Sequence, residues 1–248
     1  MPPTVGVDWG SGQWICAIRK GPGEWDLEAH PSFLSVWHHH QDHTPILVDI
    51  PIGLVEEDLR QCDEQAREVL ESVRPNSVFW TPPRSAIEAK TYMEAKKRTD
   101  ELSPKGLTTQ AWGIAPRIRE LDEFLAEVSE AKGKVRESHP EVCFAKLNGG
   151  EPPEPGKQDD GGIEARLKIL EAVESGTRAA YEELIHEYVD EPPAHARLVS
   201  TNDRDDVVDA MALALTAAEK EGEFETLPEE PPEDPEREIP IEIVYVDQ

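Results

Sequence analysis

Five acidic residues in four separate stretches have the types and positions that chemistry at phosphorus requires. Asp8 closes the run Thr4-Val5-Gly6-Val7-Asp8, and Asp49 closes Pro45-Ile46-Leu47-Val48-Asp49. Both read as acids at strand ends. On neighbouring parallel strands their backbones would lie about 4.8 Å apart, close enough for both to reach one divalent-metal site. In Arg204-Asp205-Asp206-Val207-Val208-Asp209-Ala210, Asp206 and Asp209 share a face at a helix start, with Asp205 and Asp209 as the alternative pair. Glu137 ends a further strand-like run on the same side, with His139 and Glu141 placed to stand behind it. Carboxylates gathered at one edge repel each other unless hard cations sit among them, and Mg²⁺ or Mn²⁺ best match all-oxygen ligands. Two such ions about 3.5 to 4 Å apart suit in-line displacement at phosphorus. Asp8, Asp49, Asp206 and Asp209 are the expected metal ligands, Glu137 the residue that holds a second ion or orients water, and phosphodiester hydrolysis the expected reaction. Each acid also has a plainer reading. Asp8 precedes a hairpin glycine, Asp49 precedes Pro51, Asp205 and Asp206 complement a helix dipole, and Glu137 and Glu141 flank a turn and a helix start.

The elements that must position these acids read as three strands (4–9, 13–19 and 24–29), a helix N-capped by Ser32, and a buried strand at 45–50. Helices follow over 56–72 and about 107–131, the latter interrupted by Pro116. After a strand at 134–137 come helices over 163–174, 178–189 and 204–220. Such an order predicts an α/β fold: an antiparallel three-strand meander, parallel strands added through helical crossovers, and flanking helices. It resembles the ribonuclease-H-like fold, with a helical insertion at about 55–131. Residues 1–218 read as that domain. Residues 219–248 read as an acidic, Pro-rich tail ending in an edge strand at 239–246.

The chain has 248 residues, 25 Lys and Arg against 52 Asp and Glu, and a net charge of −27. Self-repulsion on this scale is tolerable where the Debye length shrinks to about 3 Å, as at 1 M salt, which predicts a halophilic source. No apolar run approaches the roughly 20 residues of a membrane span, and no secretory signal opens the chain, so a cytoplasmic location is expected. Cys16, Cys62 and Cys143 lack paired spacing and suit reduced, buried thiols better than a disulfide framework or zinc site. In His38-His39-His40-Gln41-Asp42-His43 only His39 and His43 share a helix face, so the run reads as a surface helix end.

Taken together, Val48-Asp49-Ile50-Pro51-Ile52-Gly53-Leu54, Arg60-x-Cys62-Asp63-x-x-Ala66-Arg67, Ser77-Val78-Phe79, Thr109-Gln110, Glu137-Ser138-His139-Pro140-Glu141-Val142 and Asp205-Asp206-x-x-Asp209-Ala210 resemble the family called "domain of unknown function 429". That resemblance covers about residues 4–218 and implies a nuclease of ribonuclease-H-like fold. A more distant likeness is to Holliday-junction resolvases, in which Asp8, Asp206 and Asp209 match acids of the site, while the central-strand acid there is Glu and here is Asp49. The expected partner is nucleic acid, DNA or RNA. From Pro82 to Arg117 seven basic residues face four acids, so Lys96, Lys97 and Arg98 are candidate backbone contacts; Arg60 and Arg67 are candidates for holding phosphate. An ordinary helix face of mixed charge is the alternative. The competing functions are an ATP-dependent phosphotransferase of the actin and sugar-kinase type, suggested by Val5 to Gly10 alone, and a nucleic-acid-binding relative without turnover.

Overall fold

In the computed structural model, which describes residues 2–43, 45–70, 75–157, 159–192, 199–200, 202–219 and 223–247, the first thirty residues form the meander. β1 (Thr4–Gly10) pairs antiparallel with β2 (Gln13–Gly21), and β2 with β3 (Glu24–His30). Ser32 caps α1 (Phe33–His40) by accepting the Ser35 amide. The chain then returns through the middle of the sheet as β4 (Ile46–Val48), parallel to β1. α2 (Gln61–Val69), α3 (Arg84–Ile87), α4 (Tyr92–Leu102) and α5 (Thr109–Glu127) form the long crossover to β5 (Val135–Glu137), which lies parallel to β4. The sheet order is β3-β2-β1-β4-β5, a mixed sheet flanked by helices, as expected. α6 (Pro140–Leu147), α7 (Gly162–Val173), α8 (Thr177–Ile185) and α9 (Arg204–Ala218) complete the helices.

Alternation along the strands divides the core in two. Val5, Val7, Cys16, Ile46, Val48 and Val135 pack with Phe33 and Trp37 of α1 and Ile118, Leu121 and Phe124 of α5. On the other face, Ile15 and Ala17 pack with Val207, Val208 and Met211 of α9 and with α7 and α8. α9 lies unusually close to β1. A Cβ at Gly6 would collide with the Ala210 carbonyl and the Ala214 amide, and one at Gly10 with the Asp206 carboxylate. The Thr4 hydroxyl donates to the Ala214 carbonyl at 2.8 Å, and the alanines of α9 leave its backbone room to settle there.

Three features differ from the sequence reading. Pro116 removes one rung of the α5 ladder without ending the helix. The helix expected over 56–72 begins only at Gln61, with 71 and 72 outside the described residues. The last residues do not extend the main sheet. β6 (Glu225–Leu227) pairs with β9 (Ile243–Tyr245), and β7 (Glu233–Asp234) with β8 (Ile239–Pro240), as two separate ribbons. Prolines that cannot donate to a ladder keep these pairings short. Both ribbons nevertheless pack into the body. Ile239 joins the core beneath α5, Ile241 and Ile243 pack on α2 and α6, and fully buried Asp234 accepts from Arg84 at 2.5 Å and from the Leu54 amide at 2.8 Å.

No helix among the described residues is long and apolar enough to cross a membrane.

Gly6→Ala places a methyl against helix backbone that cannot yield and should cost about 1–3 kcal/mol, a fall of about 2–12 °C in Tm for a chain of this length. Gly113→Ala, inside α5 with open space at its Cβ, should be neutral or stabilising by about 0.5–1 kcal/mol. Thermal unfolding of the two variants beside the wild type measures both, and a Gly6→Ala variant as stable as wild type would contradict the packing described.

Candidate functional site

β1 and β4 run side by side with Val7 level with Val48, and the Asp49 amide donates to the Val7 carbonyl at 2.9 Å. Asp8 and Asp49 are therefore adjacent at the carboxyl ends of two parallel strands, where open α/β sheets commonly present ligand sites. Both stand on the α9 face, as do Gly6 and Gly10. The β1–β2 turn is tied to the start of α9, because the Ser11 hydroxyl donates to the Asp203 carboxylate, which also accepts the Ser200 amide at 2.9 Å. From that anchor the first turns of α9 lay Asp206 against Gly10 and carry Asp209 one turn deeper, where it is buried. Four carboxylates from three elements line one cleft of about 480 Å³.

The Gly/Pro loop between α6 and α7 adds a residue that sequence reasoning missed. Lys157 donates from Nζ to Asp209 at 2.6 Å and lies 3.6 Å from Asp205. The loop folds back on itself so tightly that a Cβ on Gly162 would collide with the Gly156 backbone. Buried Arg166 holds it there, donating to the Gly162 and Pro155 carbonyls at 2.9 and 3.3 Å and to Glu141. Nothing in the local spacing announces Lys157, since its partner is 52 positions away.

Electrostatics make the cleft strained when it holds acids alone. Burial, then the charges of Asp49 and Asp209, pushes Asp8 well above the ordinary carboxylate range. Burial and Asp209 push Asp49 up to about 8, and burial and Asp8 push Asp206 to about 8. Asp209 is raised chiefly by burial, against the opposing pull of Lys157. For Lys157 the order reverses: burial acts to lower it, but Asp209 and Asp8 outweigh that and hold it above its usual value. Among the described residues one ammonium faces four to five carboxylates, which leaves a surplus of negative charge when all of them are ionised. Unfilled lone pairs match that surplus, for Asp209 Oδ1, Glu141 Oε2 and His139 Nδ1 are buried without a hydrogen-bond partner, and all three residues line the cleft. His139, lowered by burial, is held through its ring by the Ser77 carbonyl, the arrangement that commonly orients an imidazole for a metal or a proton. Oxygen donors in this number fit a hard divalent cation.

Glu137 lines the same cleft but is committed elsewhere. It ends its strand at the same edge, but its register partner is Val48 rather than Asp49, so alternation turns it from the four aspartates toward the α1 and α5 face of the sheet. There it accepts from Arg60 at 2.5 Å and from the Ile52 amide at 2.6 Å. Arg60, fully buried, also reaches Asp63 and Thr81. It is a bracket between α2 and β5, not an open phosphate site. Arg67 ties down the 75–80 turn through the Val78 carbonyl and Asn76 and lies over the Trp80 ring. Lys96, Lys97 and Arg98 lie outside the cleft lining. Each is paired on α4 with an acid four residues away (Asp100, Glu101 and Glu94), so the mixed-charge helix face is the reading that fits them. Asp205 stands at the rim beside Lys157, and Glu141 is half committed to Arg166. The insertion contributes a different wall from the expected one: Asp63, Ser77 to Phe79, Thr81, Gln110, Gly113 and Ile114 border the cleft.

The model of the family described as "Protein of unknown function (DUF429)" matches residues 6–233, and the chain belongs to that family. No curated protein and no solved structure matches it.

Without a divalent cation, the folded chain holds protons on Asp49 and Asp206 up to about pH 8 that the unfolded chain releases near pH 4. Folding then binds protons across that window, so stability must fall as pH rises from about 4 to 8. Asp206→Asn removes one of the repelling charges. In chelator at pH 8 to 9 it should raise Tm by about 2–4 °C for each kcal/mol of repulsion relieved, with little change at pH 4. Melting curves across the pH range check both the slope and the variant.

Proposed function

We propose that this member of the DUF429 family is a divalent-metal-dependent nuclease of ribonuclease-H-like fold. The observation that carries the reading is the convergence of Asp8, Asp49, Asp206 and Asp209 from three elements on one cleft with a surplus of negative charge. The sheet order of a meander continued by two parallel strands supports the fold assignment. Asp8, Asp49, Asp206 and Asp209 hold Mg²⁺ or Mn²⁺, with His139 and Glu141 next to them. Two such ions, when bound, activate water and stabilise the leaving oxygen of a phosphodiester.

The chain's own groups account for the rest of the site. Lys157 neutralises Asp209 while no divalent ion is bound and offers the cleft a cation to an anionic backbone. Arg166 keeps the loop that carries it in place. Trp9, Phe79 and Ile114 border the cleft and provide the apolar and aromatic surface against which unpaired bases stack. Arg117 lies over the Trp9 ring at 4.3 Å and pairs with Glu120, holding that wall upright. The body's net charge opposes a polyanion at low ionic strength, so activity belongs to the molar-salt regime in which charges beyond about 3 Å are screened.

Purified protein in molar salt with Mn²⁺ should cleave single-stranded or branched DNA or RNA, and Mn²⁺ should raise its Tm. Asp8→Asn should abolish cleavage and most of the Mn²⁺-dependent stabilisation while remaining folded. Unchanged cleavage by Asp8→Asn would overturn the assignment. Stabilisation by ATP rather than by Mn²⁺ would point to the phosphotransferase class, and Mn²⁺ and nucleic-acid binding without turnover to a binding protein.

A further inference from the structure

Cys16, His30 and His40 come from β2, β3 and α1, and all three are buried. The thiol sulfur and one ring nitrogen of each histidine lie within 4.8 Å of one another. A carboxylate stands beside the two imidazoles. Glu28 is the cross-strand partner of Cys16, and its Oε2 lies 3.0 Å from His30 Nε2 and 3.1 Å from His40 Nε2. The remaining nitrogen of each ring is engaged from outside. His30 Nδ1 lies 3.0 Å from the Ser35 hydroxyl, and His40 Nδ1 lies 3.4 Å from His43 Nδ1. Imidazoles that converge through one nitrogen and are oriented through the other are the pattern of metal ligands with their outer partners. The site is on the α1 face of the sheet, across from the carboxylate cleft, and does not depend on the function proposed for that cleft.

We propose that Cys16, His30, His40 and Glu28 form a tetrahedral zinc site that clasps α1 to the β2–β3 edge of the sheet. A thiolate and two imidazoles select zinc over the hard cations suited to the carboxylate cleft. The charges also balance: thiolate and carboxylate together neutralise Zn²⁺, so no net charge is left in a buried place. On binding, the thiol proton of Cys16 leaves to solvent, and each imidazole carries its single proton on Nδ1, where that of His30 is donated to Ser35. Partly exposed Glu28 and His43 lie between the site and solvent and mark the way in.

The four ligands come from three elements, β2, β3 and α1, which explains why the sequence conceals them. Within the His38–His43 run, His40 is the residue that turns inward, and its partners lie 10, 12 and 24 positions upstream.

Cobalt(II) titration of chelator-treated full-length protein tests the proposal. One equivalent should produce tetrahedral ligand-field bands and a thiolate charge-transfer band, and zinc should bleach both and raise Tm. His40→Gln should lose the charge-transfer band. Ser35→Ala, which removes only the outer partner of His30, should keep its fold and bind zinc about 10–100-fold more weakly, so the proposal stays testable even if His40→Gln fails to fold. A wild type that shows no thiolate band, a band unchanged in His40→Gln, or a Ser35→Ala variant with wild-type zinc affinity would each overturn it.

Discussion

The close approach of α9 to β1 is the constraint on which the site depends. Asp206 and Asp209 reach Asp8 and Asp49 only because β1 presents glycine at positions 6 and 10, where any side chain would meet helix backbone or the Asp206 carboxylate. Bringing two backbones this near requires an apolar, small-residue helix, and α9 is buried along nearly its whole length after its first turn. Four carboxylates forced together in this way oppose folding electrostatically. The surrounding hydrophobic contacts must outweigh that repulsion, or a cation must relieve it.

Cations are divided accordingly between architecture and site. Arg60, Arg84 and Arg166 are fully or almost fully buried and each holds acids in place: Glu137 and Asp63, Asp122 and Asp234, and Glu141. The planar, always-charged guanidinium suits such fixed multidentate brackets. In the cleft itself the cation is a lysine on a loop, a point charge on a flexible stem, held by Asp209 and Asp205. A group of that kind can give way to an incoming ion or phosphate without dismantling the frame, whereas removal of a bracketing arginine would leave an uncompensated buried acid.

Much of this was legible in the residues. The meander, the parallel central strand, α9 and the acids Asp8, Asp49, Asp206 and Asp209 follow from apolar periodicity and from where each run stops. Register was not legible. Glu137 ends a strand just as Asp49 does, yet a one-residue offset in pairing sends it to the opposite face and into the grip of Arg60. Long-range pairing was equally hidden. Lys157 has no local motif, the basic strip of α4 is cancelled by acids one turn away, and the C-terminal ribbons attach through a buried Asp234–Arg84 pair that spans 150 positions. Period-2 and period-3.6 patterns report which side of an element is buried, not which partner awaits it there.

The same alternation gives one meander two kinds of donor set. Along β1 and β2, Asp8 faces α9, whereas Cys16, level with Val7, faces α1. A residue's neighbour in sequence is thus its opposite in space, and hard oxygen ligands collect on one face while sulfur and imidazole collect on the other. The two sets differ in what an empty site costs. The histidines and Glu28 satisfy one another by hydrogen bonds, so that cluster can wait for a metal in a folded chain. The carboxylates of the cleft accept one ammonium among the described residues and keep unpartnered buried atoms. A cation bound there relieves repulsion directly, whereas a cation bound by Cys16 and its partners must exceed hydrogen bonds already made, and only a soft-ligand metal of high affinity can do so.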